Sequence, residues 1–221
     1  MKTVLKMGTR PSPLAIKQTE EIKSLFPFVQ FEIVLIATTG DKDKKTPLSN
    51  VEEEDFFTKE IDDALLTKRI DIGVHSAKDV PEILPKGLAV ILETASINPN
   101  DALISRGSLK LAQLPKNSRV GLSSARRKGQ IQKLRKDLQV VDIRGTIEER
   151  IALVDSGIID ALIVAQAALI RLGLNDRIDE IFPLDIFEAH PKQGKLSLVV
   201  REEDCEGIKS ILSAQARATG N

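Results

Sequence analysis

Short β-rich runs alternate with stretches of helical period along this chain, twice over, and no other feature narrows its fold so much. "TVLKMG" reads as a strand. In "TRPSPLAIKQTEEIKSLF", Ser12 is placed to cap a helix, Pro13 suits its first position, and Leu14, Gln18, Ile22 and Leu25 share one face. "FEIVLIAT" follows as a nearly continuous apolar strand, of the kind expected in a sheet covered on both sides. Residues 40–55 are polar and read as a loop. "FFTKEIDDALLTKR" repeats apolar residues at 57, 61, 64 and 65 as a helix does, and "IDIGVH" is the next strand. This β-α-β-α-β order predicts a parallel sheet with crossover helices.

After "LAVILE" at 88–93, the turn-rich "TASINPNDA" marks a link to a second unit. There "SRVGL", "QVVDI" and "DALIVA" are strands, each followed by a helical segment. Thr146 and Glu149 have capping-box spacing, and Gly157 and Gly173 suit helix ends. "FPLDIFEAHPKQGK" is irregular, "LSLVVR" is a last strand, and a short helix covers about 205–215. The last strand is expected to return to the first sheet. The expected domains are therefore 1–95 plus 190–221, discontinuous, and 96–189, with a cleft between them. In open α/β sheets ligands sit beyond the carboxyl ends of the strands.

Composition removes several function classes. Lys plus Arg is 32 and Asp plus Glu is 32, so net charge points to neither nucleic acid nor membrane. The chain has seven Phe and no Trp or Tyr, which argues against a base-stacking platform. One cysteine, Cys205, permits no internal disulfide and no cysteine-rich metal site. His75 and His190 have no metal-pair spacing, so no metal is expected; His75 reads as a core or strand-end residue and His190 as a solvated one. No apolar window approaches a membrane span, and the start lacks the apolar core of a secretory signal. A cytoplasmic protein is expected.

Three strand ends carry unusual chemistry: Arg10 and Ser12; Ser123, Ser124, Arg126 and Arg127; Arg144, Thr146 and Arg150. Each brings guanidinium and hydroxyl groups to a helix start, where unpaired N–H groups favour an anion. Arginine holds carboxylate or phosphate through paired hydrogen bonds, and spacing alone does not separate the two. Cations in a helix's first turn oppose its dipole, so a bound anion would compensate them. Asp79, beside Lys78 at the end of "DIGVHSAKDVP", is the exception. A carboxylate there would not bind an anion; it would accept an N–H or stabilise a cation that forms during reaction.

The stretches "GTRPSPLA", "TTGDK", "FFTKEIDDALL", "DIGVHSAKDVP", "GLSSARRKGQ", "DIRGTIEERI" and "DALIVAQAALIRLGL" together closely resemble the porphobilinogen deaminase (hydroxymethylbilane synthase) family, in the family's order across most of the chain. The resemblance implies two periplasmic-binding-protein-like α/β domains with a cleft between them. It also implies a cytoplasmic transferase of heme biosynthesis that joins four porphobilinogen molecules head to tail with release of ammonia. Asp79 would be the catalytic aspartate, contacting pyrrole N–H groups and steadying the azafulvene cation left when ammonia departs. Arg10, Ser12, Lys59, Lys78, Ser123, Ser124, Arg126, Arg127, Arg144, Arg150, Arg171 and Gln193 would hold the acetate and propionate groups. The expected partner is the small-molecule substrate, with no nucleic acid and no membrane, on a monomer. The family's cofactor is a dipyrromethane held by a cysteine in a third, α+β domain. That domain is expected to be absent, since the chain stops at Asn221, about where it would begin. Cys205, in "REEDCEGIK", is not in the family's anchor context. "VEEEDFF" replaces a flexible, basic loop and keeps Lys59, and Lys192 and Lys195 flank Gln193 and Gly194 where the family has small residues. The alternative function is a pyrrole- or tetrapyrrole-binding protein without turnover.

Overall fold

In the computed structural model, which describes residues 4–43, 46 and 55–213, the chain divides into two α/β units. The first takes Met1–Lys42, Glu54–Ala95 and Lys195–Asn221, and the second Asp43–Glu53 and Ser96–Gly194. In chain order the regular elements begin β1 (Val4–Thr9), α1 (Pro13–Leu25), β2 (Gln30–Leu35), α2 (Thr39–Lys42), α3 (Lys59–Leu66), β3 (Ile72–Ser76) and β4 (Leu88–Glu93). They continue with β5 (Asp101–Ser105), β6 (Arg119–Leu122), α4 (Ala125–Leu134), β7 (Gln139–Asp142), α5 (Ile147–Asp155), β8 (Ala161–Ala165) and α6 (Gln166–Leu172). The last are β9 (Glu180–Ile181), β10 (Leu196–Arg201) and α7 (Cys205–Ser213).

The first sheet has the order β2-β1-β3-β10-β4, and the second β7-β6-β8-β5-β9. β1, β2 and β3 run parallel, while β10 is antiparallel to both β3 and β4. Side chains alternate across the sheet, so Ile72, Val74, Leu196 and Leu198 form one cluster with Ile22 of α1 and Ile208 of α7. On the other face Val199 packs against Ile61, Ala64 and Leu65 of α3. In the second unit β6, β7 and β8 are parallel and β5 is antiparallel to β8. Central strands β5, β8 and β10 are buried along their whole length, as strands covered on both faces must be.

Three sequence expectations are corrected here. "FEIVLIAT" is not a doubly covered strand: β2 is the edge of its sheet, and Leu35 is 55% exposed. β5 lies in the tail of the stretch read as a linker, because "DALIS" pairs with β8 and fills the second core. Within 40–55 only part is described, and α2 reaches into it to Lys42.

The last return to the first unit comes at 194/195, after Gly194 and not at 190. The reason is local. The Gln193 amide donates to the Pro99 carbonyl at 2.6 Å and to that of Asn100 at 3.1 Å, and Ser96 Oγ donates to the Gln193 carbonyl at 2.7 Å. Gly194 sits at φ +82°, and a Cβ there would lie 2.4 Å from the Asn98 carbonyl oxygen. Gly194→Ala should therefore destabilise the chain by about 2 kcal/mol or more, through both left-handed strain and overlap. Thermal denaturation checks this, and an unchanged melting temperature would refute it.

Candidate functional site

The parallel strands of the first unit end at one sheet edge, and each end delivers functional groups. β1 leads into Arg10 and Ser12, β2 into Thr38 and Asp41, and β3 into Lys78 and Asp79. Ser12 caps α1 by accepting the Ala15 N–H at 3.3 Å, which commits its hydroxyl to the helix. Gln18, buried on α1, donates to Ser76 Oγ at 2.8 Å and fixes the β3 tip against that helix.

Arg10 is held rather than loose. Its Nε donates to both oxygens of Asp41, at 3.0 and 3.2 Å, and its guanidinium stacks 4.3 Å over the Phe57 ring. Asp41 is fixed in turn by the Thr38 N–H and hydroxyl, each at 3.0 Å. Burial raises the Asp41 pKa, but bonds to Arg10 and Thr38 outweigh it and leave the group below its ordinary value. Lys59 is exposed at the first position of α3. The next residue, Glu60, accepts from the Thr39 N–H and hydroxyl at 2.8 and 2.7 Å, tying that helix start to the β2 tip.

Asp79 closes a 3-10 turn over Ala77–Asp79 and is partly exposed beside Lys78. Its carboxylate makes no hydrogen bond or ion pair with any described residue. Asp41 is consumed in holding an arginine and Glu60 in holding Thr39, whereas Asp79 is available.

The second unit repeats the pattern. Ser123 is buried at the end of β6 and donates to the Ile143 carbonyl at 2.6 Å, so its hydroxyl joins two strand tips. Ser124 occupies the cap position of α4 without making a side-chain cap, and the first turn of that helix carries no acid. Arg126 and Arg127 both donate to Asp101, at 3.1 and 2.7 Å, and Arg127 also donates to Gln193 Oε1 at 3.2 Å. The Asp101 pKa is raised by burial but falls below its ordinary value through its arginines and Gln193. Arg144 donates to the Asp43 carbonyl at 2.8 Å, Arg150 to that of Gly145 at 2.9 Å, and Arg171 to that of Gly194 at 2.9 Å. The start of α5 is not a vacant anion site. Thr146 and Glu149 close a reciprocal capping box there, with Glu148 adding a second acid to the first turn.

Of the residues singled out in the sequence, the first edge thus gathers Arg10, Ser12, Lys59, Lys78 and Asp79. The second gathers Ser123, Ser124, Arg126, Arg127, Arg144 and Arg150 at strand tips, with Gln193 bonded to the same cluster and Arg171 on the carbonyl of Gly194. Asp41 and Asp101, which orient the arginines, were not singled out. The available signal is an acid within a few residues of a strand end, as in "TTGDK" and "NPNDALIS".

A family model described as porphobilinogen deaminase, dipyromethane cofactor binding domain, matches residues 5–209. The chain belongs to the porphobilinogen deaminase family. The porphobilinogen deaminase of Chlorobium limicola is 41% identical over 208 residues, which cover 92% of this chain and 66% of that protein. That of Deinococcus radiodurans is 44% identical over 226 residues, covering 99% and 73%. The chain thus spans about two thirds of the length of the first of these relatives. Among solved structures, a periplasmic substrate-binding protein of an ABC transporter from Coxiella burnetii aligns with TM-score 0.59 at 14% identity, over 96% of this chain and 92% of that one. A methionine-binding protein aligns with TM-score 0.60 at 13% identity, over 96% and 89%. At such identities the likeness is one of fold. No described helix is long and apolar enough to cross a membrane, and no cluster of metal-ligating side chains occurs among the described residues.

The matched family model is named for a dipyrromethane cofactor, and Cys205, the one thiol of this sequence, does not lie at the strand tips. β10 runs antiparallel to β3, with Leu196 opposite Ser76, so its far end lies at the opposite sheet edge from Asp79. Six residues of strand separate the two edges by about 17–20 Å. At that far end Arg201 donates to the carbonyls of Leu65 and Ile70, each at 2.7 Å, and pairs with Asp71 at the start of β3. Cys205 follows, its Sγ donating to the Arg201 carbonyl at 3.6 Å while the side chain packs on the core beside Ile208. The thiol, at the opposite end of the sheet, does not suit anchorage of a group at the strand tips.

Proposed function

We propose that this chain condenses porphobilinogen head to tail with loss of ammonia, as a hydroxymethylbilane synthase of heme biosynthesis. The observation that carries this is the uncommitted carboxylate of Asp79, at a sheet edge that also carries Arg10, Lys59 and Lys78 and whose Asp41 is bonded to Arg10. The substrate matches that charge pattern. Its acetate and propionate groups are anions for Arg10, Lys59 and Lys78 at that edge. Its aminomethyl carbon becomes cationic as the C–N bond breaks and ammonia leaves with its electron pair. Asp79 accepts the pyrrole N–H and stabilises the positive charge spread over ring and methylene. The free α-carbon of a second pyrrole then forms the new C–C bond, and the proton displaced from that carbon is lost to a base or to water. A fixed charge matters most where charge develops, so Asp79 acts on turnover and the cations act on binding.

A single cysteine and a balanced charge suit a cytoplasmic monomer with a small-molecule partner and neither nucleic acid nor membrane. The place of Cys205 favours a second reading, binding without turnover. Incubation with porphobilinogen separates the two. Oxidation of the product to uroporphyrin supports the synthase. Calorimetric binding with no product, where a longer relative works, supports the binding protein.

A further inference from the structure

The second unit holds two adjacent guanidinium groups on one helix turn, an arrangement that repels itself unless something apportions them. Asp101 does so. Its side chain is 0% exposed, and each oxygen takes one arginine: Oδ1 accepts from Arg127 and Oδ2 from Arg126. Gln193, itself 1% exposed, donates to Oδ1 at 2.9 Å and accepts from Arg127, closing the inner side of the cluster. Arg127 is consequently drawn inside, with its side chain 8% exposed, whereas Arg126 remains 28% exposed. A second bond, from Arg126 to the Glu188 carbonyl, fixes its plane, and the five N–H donors of a guanidinium exceed these two bonds.

We propose that Asp101 is a positioning residue: it neutralises Arg127 in the interior and turns Arg126 out, so that one oriented guanidinium, not two competing ones, meets a ligand carboxylate. This rests on the reading of the ligand as a pyrrole polycarboxylate. An oriented planar fork binds carboxylate with less ordering cost than a mobile one, so the loss of Asp101 falls on affinity. The ligand sees Arg126, and Asp101 acts through it.

The test is Asp101→Asn, which keeps shape and removes charge. Two measurements are made. The first is the rate at which phenylglyoxal modifies each arginine, read by mass spectrometry. Arg126 should react faster than Arg127 in the wild type, and the two rates should converge in the variant. The second is the dependence of turnover on porphobilinogen concentration: KM should rise about 10-fold or more while kcat stays within about threefold. Should the variant not fold, Asp101→Asn with Arg127→Leu removes the orphaned buried charge, and Arg126 is read in that background against Arg127→Leu alone. Unchanged labelling, or a fall in kcat at constant KM, overturns the proposal. If the wild type does not bind porphobilinogen, the polycarboxylate reading fails, and the labelling still decides whether Asp101 orients Arg126.

Discussion

Asparagine in place of Asp79 is expected to slow ammonia release from porphobilinogen by about 100-fold or more, while porphobilinogen binding changes by less than about threefold. The size follows from the environment. Asp79 is partly exposed and spends nothing on internal bonds, whereas Asp41 and Asp101 are each tied to arginine. Its substitution therefore leaves the ion pairs of Asp41 and Asp101 intact and removes the charge proposed to stabilise the developing cation. The amide still accepts an N–H, so affinity survives. Calorimetry and an ammonia assay on the same preparation separate the two effects. Equal losses of binding and turnover would assign Asp79 to carboxylate positioning or folding instead.

The second large effect is on stability, and it is hidden in the wild type. Asp62 lies buried on α3, and neither oxygen meets hydrogen-bond geometry with a partner, although the Thr58 side chain is close enough to favour its charge. Burial pushes its pKa up to about 6, reinforced by the charges of Asp55 and Asp63 and offset only in part by Thr58. His75 is buried on β3 opposite Ser197, its Nε2 without a partner. Burial first, and the Arg10 charge second, lower its pKa to about 4. The signs oppose. The folded state keeps the Asp62 proton that the unfolded chain loses above 3.8, so this group's stabilisation is lost as pH rises towards about 6. The unfolded chain takes up a His75 proton below 6.5 that the folded state refuses, so this group's contribution is lost as pH falls towards about 4. Over that shared window the two slopes largely cancel. Asp62→Asn removes one of them. Its stability should then rise by about 3 kcal/mol between about pH 4 and 6.5, and at about pH 8 it should exceed the wild type. Urea unfolding across pH tests this, and a variant as flat as the wild type would contradict it.

Much of the architecture is written in local pattern. Ser12 with Pro13, and Thr146 with Glu149, announce two helix starts, and the cap bonds at 3.3 and 3.2 Å are the ones their spacing requires. Gly173 ends α6 at φ +68°, as a glycine after a helical run does. What local pattern hides is partnership. "FEIVLIAT" is as apolar as a central strand, and only the sheet order makes it an edge. "DALIS" follows a run of turn residues, and its strand character comes from pairing with β8, 60 or so residues later. The site divides the same way. Strand-tip arginines stand out because a cation in a helix's first turn needs a compensating charge. Asp41 and Asp101 do not stand out, since an acid that will be buried against arginine looks like any surface acid until the tips of different strands are brought to one edge.

The central claim is that chemistry belongs to the carboxylate at the first sheet edge and not to the thiol at the other. Ammonia released from porphobilinogen, followed side by side for the wild-type chain and for Cys205→Ser, tests it most directly. The account predicts release at the same rate in both, with no mass added to either protein after denaturation. Release that disappears with the thiol, or a covalent pyrrole increment on Cys205, would contradict it.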